Sequence, residues 1–279
     1  MKPRAVVNKI IPFSNVDGPG NRLAVFLQGC NINCVYCHNP ETIKHCNHCG
    51  ICINHCPTKA IKLAEDKVTY EEGLCIGCDQ CIKICGFSAS PRTKEYTVEA
   101  LYKVIEGYAP FIRGITVSGG EPTLQADFIA ALFKRVKGLN LSCFVDTNGF
   151  FDRGTIKELI TVTDQFMIDI KAIDKIAALC GREDQQHLEN LQYLLSLHKV
   201  YEVRTVIALE MVDIENTLGT VAKILRNYPS VAYKLISVHT TGLTPIQKEN
   251  IKNKIPSQAY MEELKAYVTT LGVKKVEIV

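Results

Sequence analysis

The residues of this sequence that are most able to do chemistry are its cysteines. The 279-residue chain has 13, and eleven of them lie between Cys30 and Cys85. A secreted disulfide framework usually has an even number of cysteines, and the sequence before Cys30 has neither the apolar stretch nor the small-residue cleavage site of a secretory signal. In the reducing cytoplasm, crowded thiols bind metals more often than they form disulfides. We therefore expect a cytoplasmic protein with metal centres.

Eight of these cysteines form two quartets with the same internal spacing, C-x2-C-x2-C-x3-C. This is the bacterial ferredoxin pattern, in which three thiolates of one quartet bind one cluster and the fourth binds the other cluster. The pattern assigns two 4Fe–4S clusters to two sets of ligands: Cys46, Cys49, Cys52 and Cys85, and Cys75, Cys78, Cys81 and Cys56. Gly86 follows Cys85 where the pattern usually has proline, which leaves the ligand count intact. The alternative is a pair of structural zinc sites, but zinc usually takes separated C-x2-C pairs.

A cysteine triplet with a different spacing, C-x3-C-x2-C, comes before the quartets. Its members are Cys30, Cys34 and Cys37, and they directly follow a strand-like run. Three thiolates leave one iron of a cubane without a protein ligand, and an open coordination position is where a metal centre does chemistry. The alternative is an incomplete zinc site with His38 as fourth ligand. Because eight ferredoxin-type cysteines follow directly, we favour a third 4Fe–4S cluster.

The elements expected to position these cysteines are strands and helices in alternation. Strand-like runs lie at 23–28, 114–118, 141–146, 165–169, 201–207 and 231–237, and helix-like segments lie at 97–108, 124–137, 154–161, 185–198, 214–227 and 257–271. This order predicts an α/β fold with a parallel sheet of βαβ units, in a barrel or a doubly wound arrangement. Ligands bind at the C-terminal ends of such strands. Segment 44–94, with a short strand at 67–70, interrupts the alternation as an inserted unit.

Composition excludes two classes of partner. The net charge is +3, which is too small to indicate binding to nucleic acid or to an anionic membrane. The sequence also has no apolar run long enough to span a bilayer. We therefore expect no nucleic acid and no membrane among the partners.

The triplet, with aromatic Tyr36 before its last cysteine, resembles the signature of radical S-adenosylmethionine (SAM) enzymes. Further motifs occur in the order seen in glycyl-radical-enzyme activases: VDGPGNR from Val16, FLQGC, YCHNP, SGGEP from Ser118, DTNG from Asp146 and DIK from Asp169. The resemblance covers nearly the whole chain. The ferredoxin-like insert narrows it to activases that carry extra clusters, and the opening motifs are most similar to the YjjW-type subgroup.

The resemblance implies a fold and an activity. The fold is a partial (β/α)6 TIM-like barrel, the radical SAM core, formed by residues 1–43 and 95–279 and interrupted by the two-cluster insert at 44–94. The activity is the reductive cleavage of SAM to a 5′-deoxyadenosyl radical, which then removes a hydrogen from a glycine of a partner glycyl radical enzyme. The cluster of the triplet binds SAM through its open iron. A low-potential flavodoxin or ferredoxin is the expected reductant.

The resemblance also assigns residues to the site. Cys30, Cys34 and Cys37 are the catalytic cluster ligands, and the expected contacts to SAM and its surroundings are Tyr36, Gly119, Gly120, Glu121, Asp146, Thr147, Asp169, Lys171, Arg204 and His239. Within this set, the turn from Gly119 to Glu121 holds the methionyl amino group. Asp146, Thr147 and Asp169 match residues that bind a monovalent cation in relatives. The partner's glycine loop is expected at Asp17, Gly18, Pro19 and Gly20.

Each of these assignments has a simpler alternative. Gly119 and Gly120 could form an ordinary strand–helix turn with Pro122 starting the helix, and Asp146 could merely cap the turn before Gly149. The family often has Pro-Gly after the arginine strand, whereas this chain has Ala208–Val212, ALEMV, at that place.

Two rival functions are a radical SAM enzyme acting on a small molecule and a ferredoxin-type electron carrier. The carrier leaves the triplet and the SGGEP and DTNG motifs without a role. The remaining two cysteines, Cys143 and Cys180, are interpreted as structural.

Overall fold

The alternating strands expected from the sequence are present in the computed structural model, which describes residues 3–279. The strands are β1 (Arg4–Ser14), β2 (Arg22–Leu27), β3 (Ile61–Ala64), β4 (Lys67–Tyr70), β5 (Lys94–Thr97), β6 (Gly114–Gly119), β7 (Ser142–Thr147), β8 (Gln165–Asp169), β9 (Val200–Ile207), β10 (Ala232–Ser237) and β11 (Lys275–Ile278). The α-helices are α1 (Gln80–Lys83), α2 (Val98–Tyr108), α3 (Ala126–Val136), α4 (Lys157–Val162), α5 (Ile176–Cys180), α6 (Gln186–Ser196), α7 (Ile214–Leu225), α8 (Pro245–Ile251) and α9 (Gln258–Thr270). Short 3-10 helices lie at Pro40–Thr42, Ile53–His55, Glu72–Leu74, Ala109–Phe111, Pro122–Gln125 and Lys137–Leu139.

Nine strands form the main sheet, in the order β11-β10-β9-β8-β7-β6-β2-β1-β5. From β11 to β2 all neighbours pair in parallel, whereas β1 pairs antiparallel with both β2 and β5. Within residues 3–279 no pairing joins β11 to β5, so the sheet is open. The six predicted strands are six of the seven consecutive parallel strands. The prediction of an α/β fold with a parallel sheet is therefore confirmed.

The helices begin where the local sequence supplies caps. The hydroxyl of Thr97 accepts a hydrogen bond from the amide of Ala100 at the start of α2, at 3.1 Å. Thr244 and Gln247 form a reciprocal capping box at the start of α8, with Pro245 in the first turn. Side-chain oxygens at these positions satisfy amides that have no partner within the helix. No helix in residues 3–279 is both long and apolar enough to cross a membrane.

The two faces of the parallel strands differ in chemistry. Side chains alternate between faces along a strand, so neighbouring residues point to opposite sides. One face and the helices over it form the main apolar core, with strand residues Val25, Val117, Val145, Ile168 and Val203 and helix residues Leu101, Phe133, Leu191, Leu218 and Val268. The other face, called the inner face below, carries the polar side chains Thr116, Ser118, Asp146, Asp169 and Arg204, which hydrogen-bond to one another or to nearby groups. The candidate site therefore lies on the inner face.

The cysteine-rich segment 44–94 has a small core of its own. Cys52 and Cys81 pack against Ile61 and Val68 of the β3–β4 hairpin. These four residues form an apolar cluster separate from the main core. An isolated bridge between Lys44 and Ala89 brings the two ends of the segment together. Such a segment can be inserted without disturbing the strands on either side, because its ends are neighbours.

Candidate functional site

The cysteine triplet lies in a loop after the C-terminal end of β2, and hydrogen bonds hold this loop on both sides. The amide of Asn33 donates to the carbonyl of Cys180, at the end of α5, at 3.1 Å. The amide of Cys37 donates to the carbonyl of Cys34 at 3.0 Å, which closes a tight turn. The amide of Cys30 is likewise held at 2.9 Å by a carbonyl of the segment that follows. Backbone hydrogen bonds thus fix this loop without any contribution from a ligand.

The three thiols of this loop are largely buried. Burial raises the pKa of Cys30 and of Cys37 to about 12 each. The thiols of Cys34 and Cys180 lie 3.4 Å apart, and the hydrogen bond between them lowers the pKa of Cys34. Buried thiolates are costly unless a metal or another cation compensates their charge. The donor set therefore fits a metal cluster.

His38, the fourth ligand of the zinc alternative, is engaged elsewhere. Its ring stacks on that of His239 with centroids 3.9 Å apart and an interplanar angle of 7°. Its Nε2 lies 3.2 Å from the carbonyl oxygen of His239. In residues 3–279 no three His, Cys, Asp or Glu side chains surround a point that could hold a single metal ion. In a cubane, by contrast, each iron takes its own thiolate, so the ligands need not share one point.

Tyr36 adds a polar group without a partner next to the triplet. Its side chain is only 2% exposed, and its hydroxyl has no hydrogen-bond partner among the described residues. Burial raises the pKa of this hydroxyl, and the nearby charges of Lys171 and Cys34 also act on it. Buried polar groups nearly always have a partner in native proteins. The orphan hydroxyl therefore fits a ligand bound beside the triplet.

Glu121 ties together the turns that follow β6 and β7. Its carboxylate is fully buried and accepts hydrogen bonds from the amide and hydroxyl of Thr123, at 3.0 and 2.6 Å. It also accepts from the hydroxyl of Thr147 and the amide of Asn148, each at 2.8 Å. Burial raises the pKa of Glu121, and these donors oppose that rise. Glu121 thus caps the 3-10 helix that Pro122 begins. It also holds the SGGEP and DTNG turns together at the C-terminal edge of the parallel sheet, which is called the rim below.

The glycines of the SGGEP turn are required by packing against β2. A Cβ atom on Gly119 would lie 2.2 Å from the backbone nitrogen of Leu27, and one on Gly120 would lie 2.1 Å from the carbonyl oxygen of Gly29. Gly119 also has a φ of +118°, which other residues rarely adopt. Backbone atoms of Leu27 and Gly29 thus require glycine at both positions. Contact of SAM with the turn stays a prediction.

Four of the predicted residues meet in an ion network on the rim. Arg204 donates from Nε to Asp169 at 2.7 Å and from Nη2 to Asp146. Lys171 donates to the second oxygen of Asp169 at 2.6 Å, and the hydroxyl of Ser118 donates to Asp146 at 2.9 Å. The sheet register places Asp169 directly beside Arg204. Asp146 therefore faces the network and does not cap the turn before Gly149.

The two carboxylates of this network have different electrostatic surroundings. Burial would raise the pKa of Asp169, but the charges of Arg204 and Lys171 outweigh it and lower the pKa to about 2. Burial raises the pKa of Asp146 to about 6, against the opposing charge of Arg204. Two carboxylates and two cations lie together, so the charges balance within the network. Basic partners therefore supply the compensation that buried carboxylates require.

The DGPG turn lies over the same inner face, nearer the starts of the strands. The carbonyl of Asp17 accepts a hydrogen bond from the hydroxyl of Thr116, at 2.5 Å, and the carboxylate of Asp17 accepts from Ser14. Arg22, fully buried next to this turn, donates to the same Thr116 hydroxyl at 2.8 Å. Pro19 and the following glycine are exposed. The turn thus presents a free edge while its base is anchored.

In segment 44–94, four predicted ligands come together. Cys56, Cys75, Cys78 and Cys81, the set expected for one cluster, line a single cavity. In the other set, Cys52 is buried, and burial together with the charges of neighbouring thiols raises its pKa to about 11.

Comparisons with known proteins identify the family. The sequence matches the Radical SAM superfamily over residues 24–218. It is 36% identical to a putative glycyl-radical enzyme activating enzyme of Haemophilus influenzae, over 97% of this chain and 95% of that protein. This chain belongs to the glycyl-radical-enzyme activating enzymes of the radical SAM superfamily. It is also 31% identical to the trans-4-hydroxy-L-proline dehydratase activating enzyme of Clostridioides difficile, over 89% of this chain and 91% of that protein.

A solved structure shows the shared fold. Streptococcus suis SuiB bound to precursor peptide SuiA is 12% identical, with a TM-score of 0.54 over 90% of this chain and 46% of that chain. Membership of the superfamily implies one 4Fe–4S cluster and SAM. The residues of this activating enzyme fit both, because three adjacent thiols, one buried and two half-buried, lie beside the orphan hydroxyl of Tyr36 and the charged rim.

Sequence reasoning missed several residues that this activating enzyme places at the site. The side-chain amide of Asn148 donates to Asn31 at 2.9 Å and lies 3.8 Å from the sulfur of Cys30. Asn148 is the third residue of DTNG, so its motif was a usable signal. Ser118 begins SGGEP and binds Asp146. The contact of Cys180 with the triplet joins residues 146 positions apart and has no sequence signal.

Proposed function

We propose that this activating enzyme installs a glycyl radical on a partner glycyl radical enzyme. When bound, the reduced cluster of the triplet and SAM supply a 5′-deoxyadenosyl radical, which removes a hydrogen atom from the partner's glycine. The observation that carries the proposal is the fixed position of the triplet loop beside the charged rim of the parallel sheet. The protein's own part is to hold the three thiols, orient SAM and exclude water.

The charges of the rim suit the charges of SAM. We propose that Lys171 and Arg204 orient the SAM carboxylate and that Tyr36 donates its free hydroxyl to the bound ligand. Glu121 and the turn it fixes orient the methionyl amino group, and His239 packs at the mouth with His38. In this arrangement the rim acts by positioning, because its groups already have their hydrogen bonds and need little rearrangement to bind.

A monovalent cation beside Asp146, Thr147 and Asp169 is a finer part of the proposal. Arg204, Lys171 and Ser118 already contact these carboxylates, so the cation would share the carboxylate oxygens with these donors. The expected result is that SAM binds more tightly in potassium than in lithium salts of equal ionic strength, as measured by equilibrium dialysis. Equal affinity in both would contradict a cation at this place.

We further propose that residues 44–94 form a two-cluster ferredoxin-like unit inserted between core parts 1–43 and 95–279, as in the YjjW-type subgroup. The support is the cavity lined by four cysteines of the predicted set and the separate small core. The unit passes electrons from a low-potential flavodoxin or ferredoxin toward the triplet. The reducing cytoplasm, where such carriers and free thiols persist, is the proposed location.

The test is anaerobic incubation of the reconstituted protein with SAM, a reductant and each glycyl radical enzyme encoded by the same genome. One partner should give a glycine-centred doublet in electron paramagnetic resonance, and the same partner with its radical glycine changed to alanine should give none. No doublet with any partner, together with SAM-dependent turnover of a small molecule, would support the rival small-molecule enzyme.

A further inference from the structure

A single arginine lies among the four cysteines of one predicted ligand set. Arg92 follows both quartets in the sequence, yet its side chain lines the cavity formed by Cys56, Cys75, Cys78 and Cys81. Its guanidinium donates to the carboxylate of Asp79 at 2.8 Å, and its side chain is 21% exposed. Asp79 lies between Cys78 and Cys81 in the chain. The guanidinium is therefore held at the cysteine cavity by an ion pair and cannot swing freely into solvent.

Polar groups around this cavity favour negative charge on its sulfurs. The amide of Gly77 donates a hydrogen bond to the sulfur of Cys75 at 3.4 Å. Tyr70 and Arg92 both line the cavity, so a hydroxyl group and a guanidinium lie near the same sulfurs.

The two quartets have the same internal spacing, and Arg92 belongs to neither of them. Its place at the cavity of Cys56, Cys75, Cys78 and Cys81 is therefore a feature of the fold and not of the repeat.

We propose that Arg92 raises the reduction potential of the cluster held by Cys56, Cys75, Cys78 and Cys81. This inference rests on the proposed two-cluster insert. Each cluster accepts one electron from the flavodoxin or ferredoxin and releases none of its ligands, so reduction adds one negative charge. A nearby cation and hydrogen bonds to the sulfurs stabilise that added charge and raise the reduction potential. Arg92 acts through the cluster and is a positioning residue.

The experiment is a redox titration of the reconstituted full-length protein, monitored by electron paramagnetic resonance. In Arg92→Gln, the ratio of reduced to oxidised form of one insert cluster should be about tenfold lower at the potential that half-reduces it in the wild type, a shift of about 59 mV for one electron. Arg92→Lys keeps the charge and should restore most of the potential. Asp79→Asn removes a negative charge and should shift the same cluster in the opposite direction. Lys62→Gln, which removes an exposed cation of the same segment, should shift neither cluster.

The outcomes separate this inference from the function on which it rests. About 12 irons per chain with an unshifted Arg92→Gln cluster would overturn the role of Arg92 and leave the insert proposal intact. Shifts in the same direction for Arg92→Gln and Asp79→Asn would also overturn it, because they would report disturbed packing and not charge. About four irons in the wild type would overturn both proposals. If Arg92→Gln loads poorly, Arg92→Lys and Asp79→Asn still give the sign of the effect.

Discussion

The two cysteine-rich regions of this enzyme are built in opposite ways. The triplet loop is docked on the end of a large parallel sheet, and its neighbours are buried polar groups with their own hydrogen bonds. In the inserted segment the cysteines are themselves the core, since Cys52 and Cys81 make up half of its four-residue apolar cluster. We therefore expect the first region to hold its shape without metal and the second, with its small apolar cluster, not to do so.

This difference indicates a division of labour. A preformed site with unpaired or charged groups suits the binding and orientation of a substrate, because positioning requires rigid surroundings. A segment folded around its own thiols suits electron storage, because it needs only to surround its clusters. The proposed roles of chemistry in the triplet and relay in the insert follow from this contrast, and the following variants test it.

The largest expected effect is the loss of activity when one thiol of the triplet is removed. Cys34→Ala should lower the rate of SAM cleavage by a factor on the order of 1,000 or more, as removal of an essential catalytic group does. The signals of the two insert clusters should persist. The matched control is Cys143→Ala, which removes a buried thiol from the apolar core and should keep SAM cleavage. Retained cleavage in Cys34→Ala would end the claim that the triplet is catalytic.

Removal of metal should affect the two regions unequally. After anaerobic chelation of iron, backbone amides between residues 46 and 85 should exchange with deuterium as rapidly as in an unfolded chain, because the small core there cannot stand alone. Amides of β6 to β9 should keep their protection. The measurement is hydrogen exchange read by mass spectrometry. Equal loss of protection in both regions would show that the contrast between them is wrong.

Arg204→Gln should destabilise the rim by about 3–5 kcal/mol, because it leaves the buried carboxylates of Asp146 and Asp169 without their shared cation. Urea unfolding of the helices followed by circular dichroism measures this loss. The same variant should bind SAM more weakly. Arg204→Lys is the conservative control and should recover part of the stability. A variant as stable as the wild type would show that the ion network contributes little.

A smaller effect is expected from Glu121→Gln. The amide keeps the shape of the carboxylate but replaces one acceptor with a donor, so a buried hydrogen bond with Asn148 or Thr123 is lost. Leaving one such group unsatisfied costs about 1–3 kcal/mol, measurable by the same urea titration. The matched control is Glu158→Gln, which changes an exposed residue of α4 and should be neutral. Gln125→Glu, in the next turn of the chain, is a poor comparison because it adds charge.

Much of the fold could be predicted from the sequence because its signals are local. Alternating apolar runs located the six central strands, and periodic apolar stretches located α2, α3, α4, α6, α7 and α9. In the main sheet, the strands β1, β5 and β11 were missed because two of them are short and polar, and β1 interrupts its apolar run with Asn8, Lys9 and Pro12. Edge positions tolerate such residues: β5 and β11 are the outer strands, and the part of β1 beyond Val7 pairs only with β2.

The site could be predicted only in part. Motif order named the residues of the rim, but pairwise contacts between distant residues are invisible in one sequence. The thiol of Cys180 beside Cys34 and the backbone of β2 against Gly119 and Gly120 are such contacts. Arg92 is a further case, because it lies outside both cysteine quartets in the sequence and yet lines a cavity formed by four cysteines.

The most direct test of the proposed function follows the hydrogen atom itself. A partner glycyl radical enzyme produced with α-deuterated glycine should be activated anaerobically, and the 5′-deoxyadenosine formed should be analysed by mass spectrometry. The account predicts one deuterium in each 5′-deoxyadenosine and, at the same time, a glycine-centred radical signal. Unlabelled 5′-deoxyadenosine, formed while a small molecule is converted, would contradict it.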